Sequence, residues 1–547
     1  MKIFGKIKLT LTPEQKKERN RQLILCTAGG ILLGVSFPPI PFPYLIFIAV
    51  VPYFFVLQNR SSLLSINRAT YLTVFVFTLI TLYWVGSWTK EADPFLMISG
   101  VLLIFVNPAL YLIPSTLYYF AQKIFNRKVA LFLFPLFWVS FEYTYGLTDL
   151  RFPWLILGNS LPYFNKFIQI ADIVGAYGLS LIILYTNLLV YFAIVERKRN
   201  KKLFYRYLGF AFLIFAVPMI YGVIKTSNYT EPKKQIKIGL IQPNLDPWEK
   251  WSSSDLEEQL DLYLGLSSQA VKQGAKLIIW PESALPVYLL SGNYDFEVGK
   301  IRAFVDSNNV FLMTGMPDAT FYFDPKKAPP DAKPLQHTNA VYTSYNSILF
   351  FKPHTYKIQK YEKIMLVPFG EKVPFVEELP FLGDLIKWQV GISSWNVGKE
   401  QVVEEMNETK VGGIICIESI YPDFVAGFVQ KGAELIAVVT NDSWYGYSSG
   451  PFQHKEIAVL RAVENRRTVV RAANGGISCI IDPEGKILDQ TKLFTRTFLT
   501  VNAPLSDEMT FYTKHHLIIP LFVSSVSVAT ILLFAYKKFS NKYKKRT

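Results

Sequence analysis

The sequence predicts a polytopic α-helical membrane domain that carries one water-exposed α/β domain, and three observations predict it. Of the 547 residues, 51% are apolar and only 18% are charged. Eight apolar runs approach the roughly 20 residues a helix needs to cross a bilayer. Between the seventh and the eighth lies a block, about residues 228–510, in which short β-rich strings alternate with helical stretches. Together these exclude a water-soluble globular protein and a disordered chain.

The runs fall near residues 22–37, 41–58, 68–88, 95–122, 128–148, 167–195, 203–225 and 515–536. They divide the chain into a seven-span membrane domain (1–227), the hydrophilic block (228–510) and a last span with a basic tail (511–547). Basic residues set the orientation. With the N-terminus inside, 24 Lys and Arg residues fall on cytoplasmic segments, between positions 2 and 21, 60 and 68, 123 and 128, 197 and 206, and 537 and 546. The loops opposite hold only Lys90, Arg151 and Lys166. This asymmetry places both termini in the cytoplasm and turns the hydrophilic block outward, which in a bacterium is the periplasm. The net charge of +15 is thus a topology signal, and no nucleic-acid partner is expected. Tyr83, Trp84 and Trp88 fit anchoring at a membrane interface. The first run is not a removable signal, because no small-residue cleavage site follows it. Nor is Cys26 a lipidation site, since Leu25 precedes it.

In the hydrophilic block, strands are expected at 236–242, 276–280, 310–315, 412–416, 435–440, 468–471 and 476–481. Strings such as KLIIW and ELIAVV are apolar throughout, as in sheets covered on both faces, hence a layered α/β domain. Ser254 followed by Glu257 reads as a capping box, with Leu256, Leu260, Tyr263 and Leu264 on one helical face. Cysteines are few: Cys26, Cys416 and Cys479. No disulfide framework exists, although Cys416 and Cys479 leave one pairing open.

Three motifs carry chemistry. In Trp280-Pro281-Glu282-Ser283 a carboxylate follows a strand end. In the run from Tyr361 to Glu371, Lys363 and Glu371 stand eight residues apart. In Gly412-Gly413-Ile414-Ile415-Cys416-Ile417-Glu418-Ser419 a thiol ends a buried strand before a helix expected at about 420–432. Singly, each has an ordinary reading as a turn, a solvated charge or core packing.

In this order the motifs resemble the carbon–nitrogen hydrolase (nitrilase) superfamily with its Glu-Lys-Cys triad. With seven spans before and one after, the chain resembles the family of apolipoprotein N-acyltransferases. The likeness extends to Arg151-Phe152-Pro153-Trp154, to Thr440-Asn441-Asp442-Ser443-Trp444-Tyr445-Gly446 and to Gly450-Pro451-Phe452-Gln453-His454. It continues through Arg461-Ala462-Val463-Glu464 and Arg471-Ala472-Ala473-Asn474 to Asp482-Pro483-Glu484-Gly485. The resemblance implies a nitrilase-like αββα sandwich and a two-step acyl transfer in a bacterial inner membrane. The donor would be a phospholipid and the acceptor the α-amino group of a diacylglyceryl-modified apolipoprotein.

The same resemblance implies Cys416 as nucleophile, Glu282 as general base and Lys363 as the charge that faces the tetrahedral intermediate. Glu371 would orient the lysine, Glu418 would support the nucleophile or face substrate, and Trp251 and Trp444 would wall the pocket or simply anchor the core. A strand end near a helix N-terminus, beside an ammonium, would favour the Cys416 thiolate. No metal or organic cofactor is implied: the few His are scattered, and His454 reads as a structural or pocket residue. A monomer is expected. The family often has Tyr after the nucleophile, whereas this chain has Ile417. The apolar stretch holding Phe375, Phe381 and Trp388 reads as a lipid-touching lid or as ordinary packing. Two other readings compete: a membrane-tethered amidase using the same triad, and a transporter or receptor. Glu142 and Asp172 are the few acids within spans, too scarce for a transport path.

Overall fold

The fold is taken from a computed structural model that describes residues 11–88, 94–247, 249–250, 256–375 and 395–544. The capping box at Ser254, and the segment around Phe381 and Trp388, lie outside these residues.

The membrane part begins with α1 (Pro13–Val35), started by a capping box between Thr12 and Gln15. There follow α2 (Ile46–Ala49), α3 (Val51–Leu57), α4 (Leu63–Leu82), α5 (Pro94–Leu110), α6 (Leu112–Ile124), α7 (Arg127–Tyr145), α8 (Asn165–Ile168), α9 (Ala171–Glu196) and α10 (Lys201–Ser227). Among the described residues, five stretches are long and apolar enough to cross a membrane: Leu63–Gly86, Leu96–Ile124, Ala171–Glu196, Lys201–Ser227 and Ile518–Lys542. The other three expected runs are helical too. The first falls on α1, whose early turns are charged, the second on the short α2 and α3, and the fifth on α7, which holds Arg127, Lys128 and Glu142.

The hydrophilic block is a sandwich. Its first sheet has strands β1 (Gln235–Gln242), β2 (Leu277–Trp280), β3 (Phe311–Tyr322), β4 (Lys333–Pro334), β5 (Val341–Phe351) and β6 (Gln359–Glu362). The second has β7 (Val403–Met406), β8 (Thr409–Ile415), β9 (Leu435–Thr440), β10 (Thr468–Ala473), β11 (Cys479–Ile481) and β12 (Ile487–Gln490), while β13 (Thr497–Pro504) returns to the first. Their orders are β13-β1-β2-β3-β5-β4, with β6 on β5, and β12-β11-β10-β9-β8-β7. Within each sheet the central pairs β1–β2–β3 and β8–β9–β10 run parallel. Helices α11 (Leu256–Lys272) and α12 (Asp295–Asn308) cover the first sheet, and α13 (Pro422–Gln430) and α14 (Gly450–Asn465) cover the second. The sheets approach closely at Gly413: a Cβ there would come 2.8 Å from the end of the Ile348 side chain across the interface, which would have to shift.

Alternation explains both cores. On β1, Ile238 and Leu240 face the second sheet, while Ile241 packs under α11 with Leu260, Tyr263 and Trp280. The inner core is continuous with the membrane helices, running from Ile415 and Val439 through Val459 to Ala176, Phe141 and Phe54. Polar ties reinforce the seam. Arg466 gives Nη2 to Asp172 at 2.7 Å, Ala176 N donates to Glu464 at 2.8 Å, and Asn165 Nδ2 donates to the Glu484 carbonyl at 2.9 Å. The two intraspan acids are therefore structural: Asp172 holds Arg466, and Glu142 accepts from Trp138 and from the Leu157 amide. Trp84 corrects the interfacial expectation. It is buried at the seam and donates Nε1 to Gln453 at 3.1 Å, whereas Tyr83 and Trp88 are exposed. After α15 (Phe511–His515), α16 (Ile518–Lys544) packs against α6 and α7.

Candidate active site

Three chain segments that leave strands meet at one cavity of about 280 Å³. Glu282 lies two residues beyond β2, on a chain that crosses β3 at Gly315. A Cβ on Gly315 would sit 2.5 Å from the Glu282 Cα, so only glycine admits the carboxylate here. Lys363 follows β6, and its amide donates to the Asn346 carbonyl of β5 at 2.8 Å. Cys416 follows β8 with φ +49°, a left-handed turn that ends the strand sharply. Glu282, Lys363, Glu371 and Cys416 all line the cavity.

The buried lysine is gripped by two carboxylates. Lys363 Nζ stands 2.7 Å from Glu371 Oε1 and 3.2 Å from Glu282 Oε1. Asn346 Nδ2 donates to the same two oxygens, at 3.0 and 2.8 Å. The remaining oxygens are held by backbone: Val367 N donates to Glu371 Oε2 at 2.8 Å and Asn441 N to Glu282 Oε2 at 3.1 Å. Burial alone would drive the proton off Lys363, but Glu282 and Glu371 outweigh it and hold its pKa well above the usual value. The ammonium is thus fixed in charge and in place.

Cys416 behaves otherwise than the strand-end argument expects. Burial first, and the Glu282 charge second, push its thiol upward more strongly than Lys363 pulls it down. No helix dipole helps, because a 3₁₀ turn, Cys416–Ile420, intervenes before α13 starts at Pro422. The resting group is a thiol beside a carboxylate that can receive its proton. Glu418 lies beneath the floor, fully buried and absent from the cavity lining. It accepts from Tyr361 Oη, Ile364 N and Ile415 N at 2.6, 2.7 and 2.9 Å, tying the lysine loop to the cysteine strand. Its pKa is pushed up to about 7 by burial, against those donors. Ile417 is buried and adds apolar packing with no hydroxyl. Trp444 lines the cavity, and its carbonyl accepts from Ser87 of the membrane part at 2.6 Å. Trp251 lies outside the described residues.

The membrane domain contributes a further part of the cavity wall. Leu96, Ser99, Leu102, Leu103, Val106 and Leu110 of α5 line it, joined by Leu150 and Phe152. One side is therefore ionic and the other aliphatic. Among the described residues no cluster of His, Cys, Asp and Glu is arranged to hold a metal ion.

Comparison with known proteins resolves what this pairing means. A family model for carbon–nitrogen hydrolases matches residues 237–510, and one for the apolipoprotein N-acyltransferase N-terminal domain matches residues 29–189. The apolipoprotein N-acyltransferase of Chlorobaculum tepidum is 33% identical over 530 residues, covering 95% of this chain and 97% of that protein. That of Geobacter metallireducens is 30% identical, covering 90% and 92%. The chain belongs to the apolipoprotein N-acyltransferase family. Lipoprotein N-acylation, rather than hydrolysis by a tethered amidase, is the activity that this membership assigns. Among solved structures, an amidase from Nesterenkonia sp. overlaps 52% of the chain and 94% of its own, at 18% identity and a TM-score of 0.36.

For an apolipoprotein N-acyltransferase, the motifs omitted several neighbours that the fold brings to the site. Asn346 sits in a strand, β5, that carries too many polar residues to read as one. Asn441, already within the Thr440–Gly446 run, meets Glu282 through its backbone amide, while its Oδ1 accepts from Ser443 and Asn474. Lys250 is buried, donates to the Ser283 carbonyl next to Glu282, and has its pKa lowered to about 7 by burial, partly restored by Glu282. Cys479 is free and buried on β11, three strand spacings from β8. At about 4.8 Å per spacing it stands some ~14 Å from the end of that strand, beyond disulfide reach.

Proposed function

We propose that the acyl chain travels from a phospholipid to the lipoprotein amine through a thioester on Cys416. The single observation that carries this reading is the shared cavity: Glu282, Lys363 and Cys416 on one wall, the aliphatic face of α5 on the other. An ester whose acyl chain lies along α5 presents its carbonyl to the sulfur.

In the first half-reaction Glu282 takes the thiol proton as sulfur attacks the ester carbonyl. The oxyanion develops against the Lys363 ammonium, which is already in position and costs no reorganisation. Collapse expels the glycerol alkoxide, which receives the proton from Glu282, and leaves the thioester with a lysophospholipid. In the second half-reaction the neutral α-amine of the diacylglyceryl-cysteine attacks the thioester. Glu282 accepts the amine proton and returns it to the departing sulfur, giving an amide and the free thiol. Glu371 keeps Lys363 from collapsing wholly onto Glu282, Glu418 braces the floor, and Trp444 walls the pocket; a role for Trp251 rests on the family resemblance alone. The reaction uses no metal or organic cofactor.

The protein is placed in a bacterial inner membrane with eight spans, both termini cytoplasmic and the sandwich periplasmic. Helices at all eight expected positions and the uneven Lys and Arg distribution support this placement. The catalytic unit is one monomer, with phospholipid, apolipoprotein and bilayer as its partners. Mass spectrometry after mixing the protein with phospholipid alone tests the reading: an acyl mass on the Cys416 peptide, lost in Cys416→Ala and discharged by apolipoprotein, is expected. Retained transfer in Cys416→Ala would overturn it.

A further inference from the structure

The run Gly450-Pro451-Phe452-Gln453-His454 opens α14 and takes no part in the chemistry above. Its two polar side chains point to two different parts of the molecule. Gln453 Oε1 accepts from Trp84 Nε1 at 3.1 Å and from Trp154 Nε1 at 2.8 Å, and its Nε2 donates to the Thr81 carbonyl at 3.1 Å. The start of α14 is thereby fixed to the membrane domain. His454, the next residue, turns to the nucleophile. Its Nε2 lies 2.9 Å from Ser419 Oγ and 3.2 Å from the Cys416 carbonyl oxygen, and Ser419 Oγ lies 2.8 Å from that same carbonyl.

The other side of the ring is held as firmly. Nδ1 is 2.8 Å from Asp442 Oδ1, and Asp442 takes further bonds from Arg471 Nη2 at 2.9 Å and Thr440 Oγ1 at 3.0 Å. His454, Asp442, Arg471, Thr440 and Ser419 are all buried. A cysteine at φ +49° occupies backbone space that a side chain disfavours, and such a turn persists only where its surroundings over-determine it. The carbonyl of that turn is what the His454–Ser419 pair holds. Rotation of this peptide would swing the sulfur away from Glu282 and Lys363.

We propose that His454 is a positioning residue for the acyl-transfer reaction: braced by Asp442 and Arg471, it acts with Ser419 to lock the left-handed Cys416 turn and so aims the sulfur at the ester. Because Gln453 fixes the same helix turn to Trp84 and Trp154, the nucleophile is kept in register with the α5 wall. This inference rests on Cys416 carrying the acyl group.

The test compares His454→Leu, His454→Gln and His454→Asn in the full-length protein, reading acylation of Cys416 by phospholipid in proteoliposomes and by soluble p-nitrophenyl butyrate. Gln reaches as far as Nε2 and can engage Ser419; Asn reaches only as far as Nδ1. His454→Leu is expected to slow acylation by both donors about 100-fold, as misplacement of a reacting group does, with KM for phospholipid unchanged. His454→Gln recovers most of the rate and His454→Asn does not. Equal rates for the Gln and Asn variants, or a wild-type rate in His454→Leu, overturn the proposal. If His454→Leu fails to fold, the Gln and Asn comparison decides alone. Absence of any Cys416 adduct in the wild type would instead sink the thioester reading itself.

Discussion

At the residue scale, the site separates three charges that would otherwise neutralise one another. Lys363 is shared between Glu371 and Glu282, so Glu282 keeps one oxygen, held by the Asn441 amide, directed by backbone rather than by the lysine. Glu282→Gln is expected to slow Cys416 acylation by about 10²–10⁴-fold, the usual worth of a positioned base. It should also lower the pH at which iodoacetamide alkylates Cys416, because removing a neighbouring negative charge favours the thiolate. Alkylation that shifts to higher pH would contradict the assigned role. Lys250 makes a pH prediction of opposite chemistry. Its pKa is depressed from 10.5 to about 7 in the fold, so the unfolded chain binds the extra proton between those values. Stability from this group rises as pH climbs through that range, and the full penalty is present below about 7. In Lys250→Met the penalty is gone, so the gap in melting temperature between variant and wild type should shift steadily in the wild type's favour as pH is raised. A constant gap would show that Lys250 does not titrate there. Glu282, Lys363 and Cys416 were legible because each stands in a short motif at a strand end. Asn346 was not, because a lone Asn inside a strand has many ordinary uses; His454 was legible only as a structural or pocket residue, since its partners lie 12 and 35 residues away.

At the element scale, α14 is the part on which both domains depend, since it packs on β10, carries Gln453 and His454, and leads into Arg466. The pair of Arg466 and Asp172 is buried on both sides, with 4% exposure each. Breaking such a pair by removing one charge strands the other in a poorly solvated place, at about 3–5 kcal/mol. Asp172→Asn should therefore lower the melting temperature and expose the seam to protease, and a variant as stable as wild type would show that the seam does not depend on this pair. The apolar strands β1, β2, β8, β9 and β10 could be read from their sequences, because sheets covered on both faces leave nearly unbroken hydrophobic runs. Strand β5, Val341–Phe351, could not. Thr343, Ser344, Asn346 and Ser347 are all buried, and Asn346 meets the carboxylates, so polarity there reflects the site and not solvent. Edge strands β7, β12 and β13 are short or partly exposed and lack the apolar signature altogether.

At the scale of the whole molecule, the membrane domain supplies part of the cavity wall as well as the apolar helices. The second sheet and α14 share one core with the membrane helices, and α5 completes the cavity. Residues 228–510 expressed alone would lay bare the face of α14 that meets α9, an apolar surface of the kind that drives association. Such a fragment should run as aggregates on gel filtration and fail to acylate Cys416. A monodisperse, active fragment would mean that the membrane helices serve only to tether. The positions of the helices in the membrane part, five of them long and apolar enough to cross a bilayer among the described residues, were readable from hydropathy, but the docking was not. Trp84 looks like an interfacial aromatic in sequence and Trp154 stands in the Arg151–Trp154 run, and only the fold reveals that both indoles converge on Gln453.

The spacing of the two sandwich cysteines has one further consequence. With the sandwich periplasmic and Cys416 carrying the acyl group, as proposed, that sulfur would meet oxidants that a cytosolic thiol escapes, and the simplest way to lose activity would be to trap it against a neighbour. With Cys479 buried on β11 and two strands standing between it and Cys416, these two thiols are too far apart to cross-link. Trapping would then take a thiol arriving from outside, and it would have to enter by the path the lipids use.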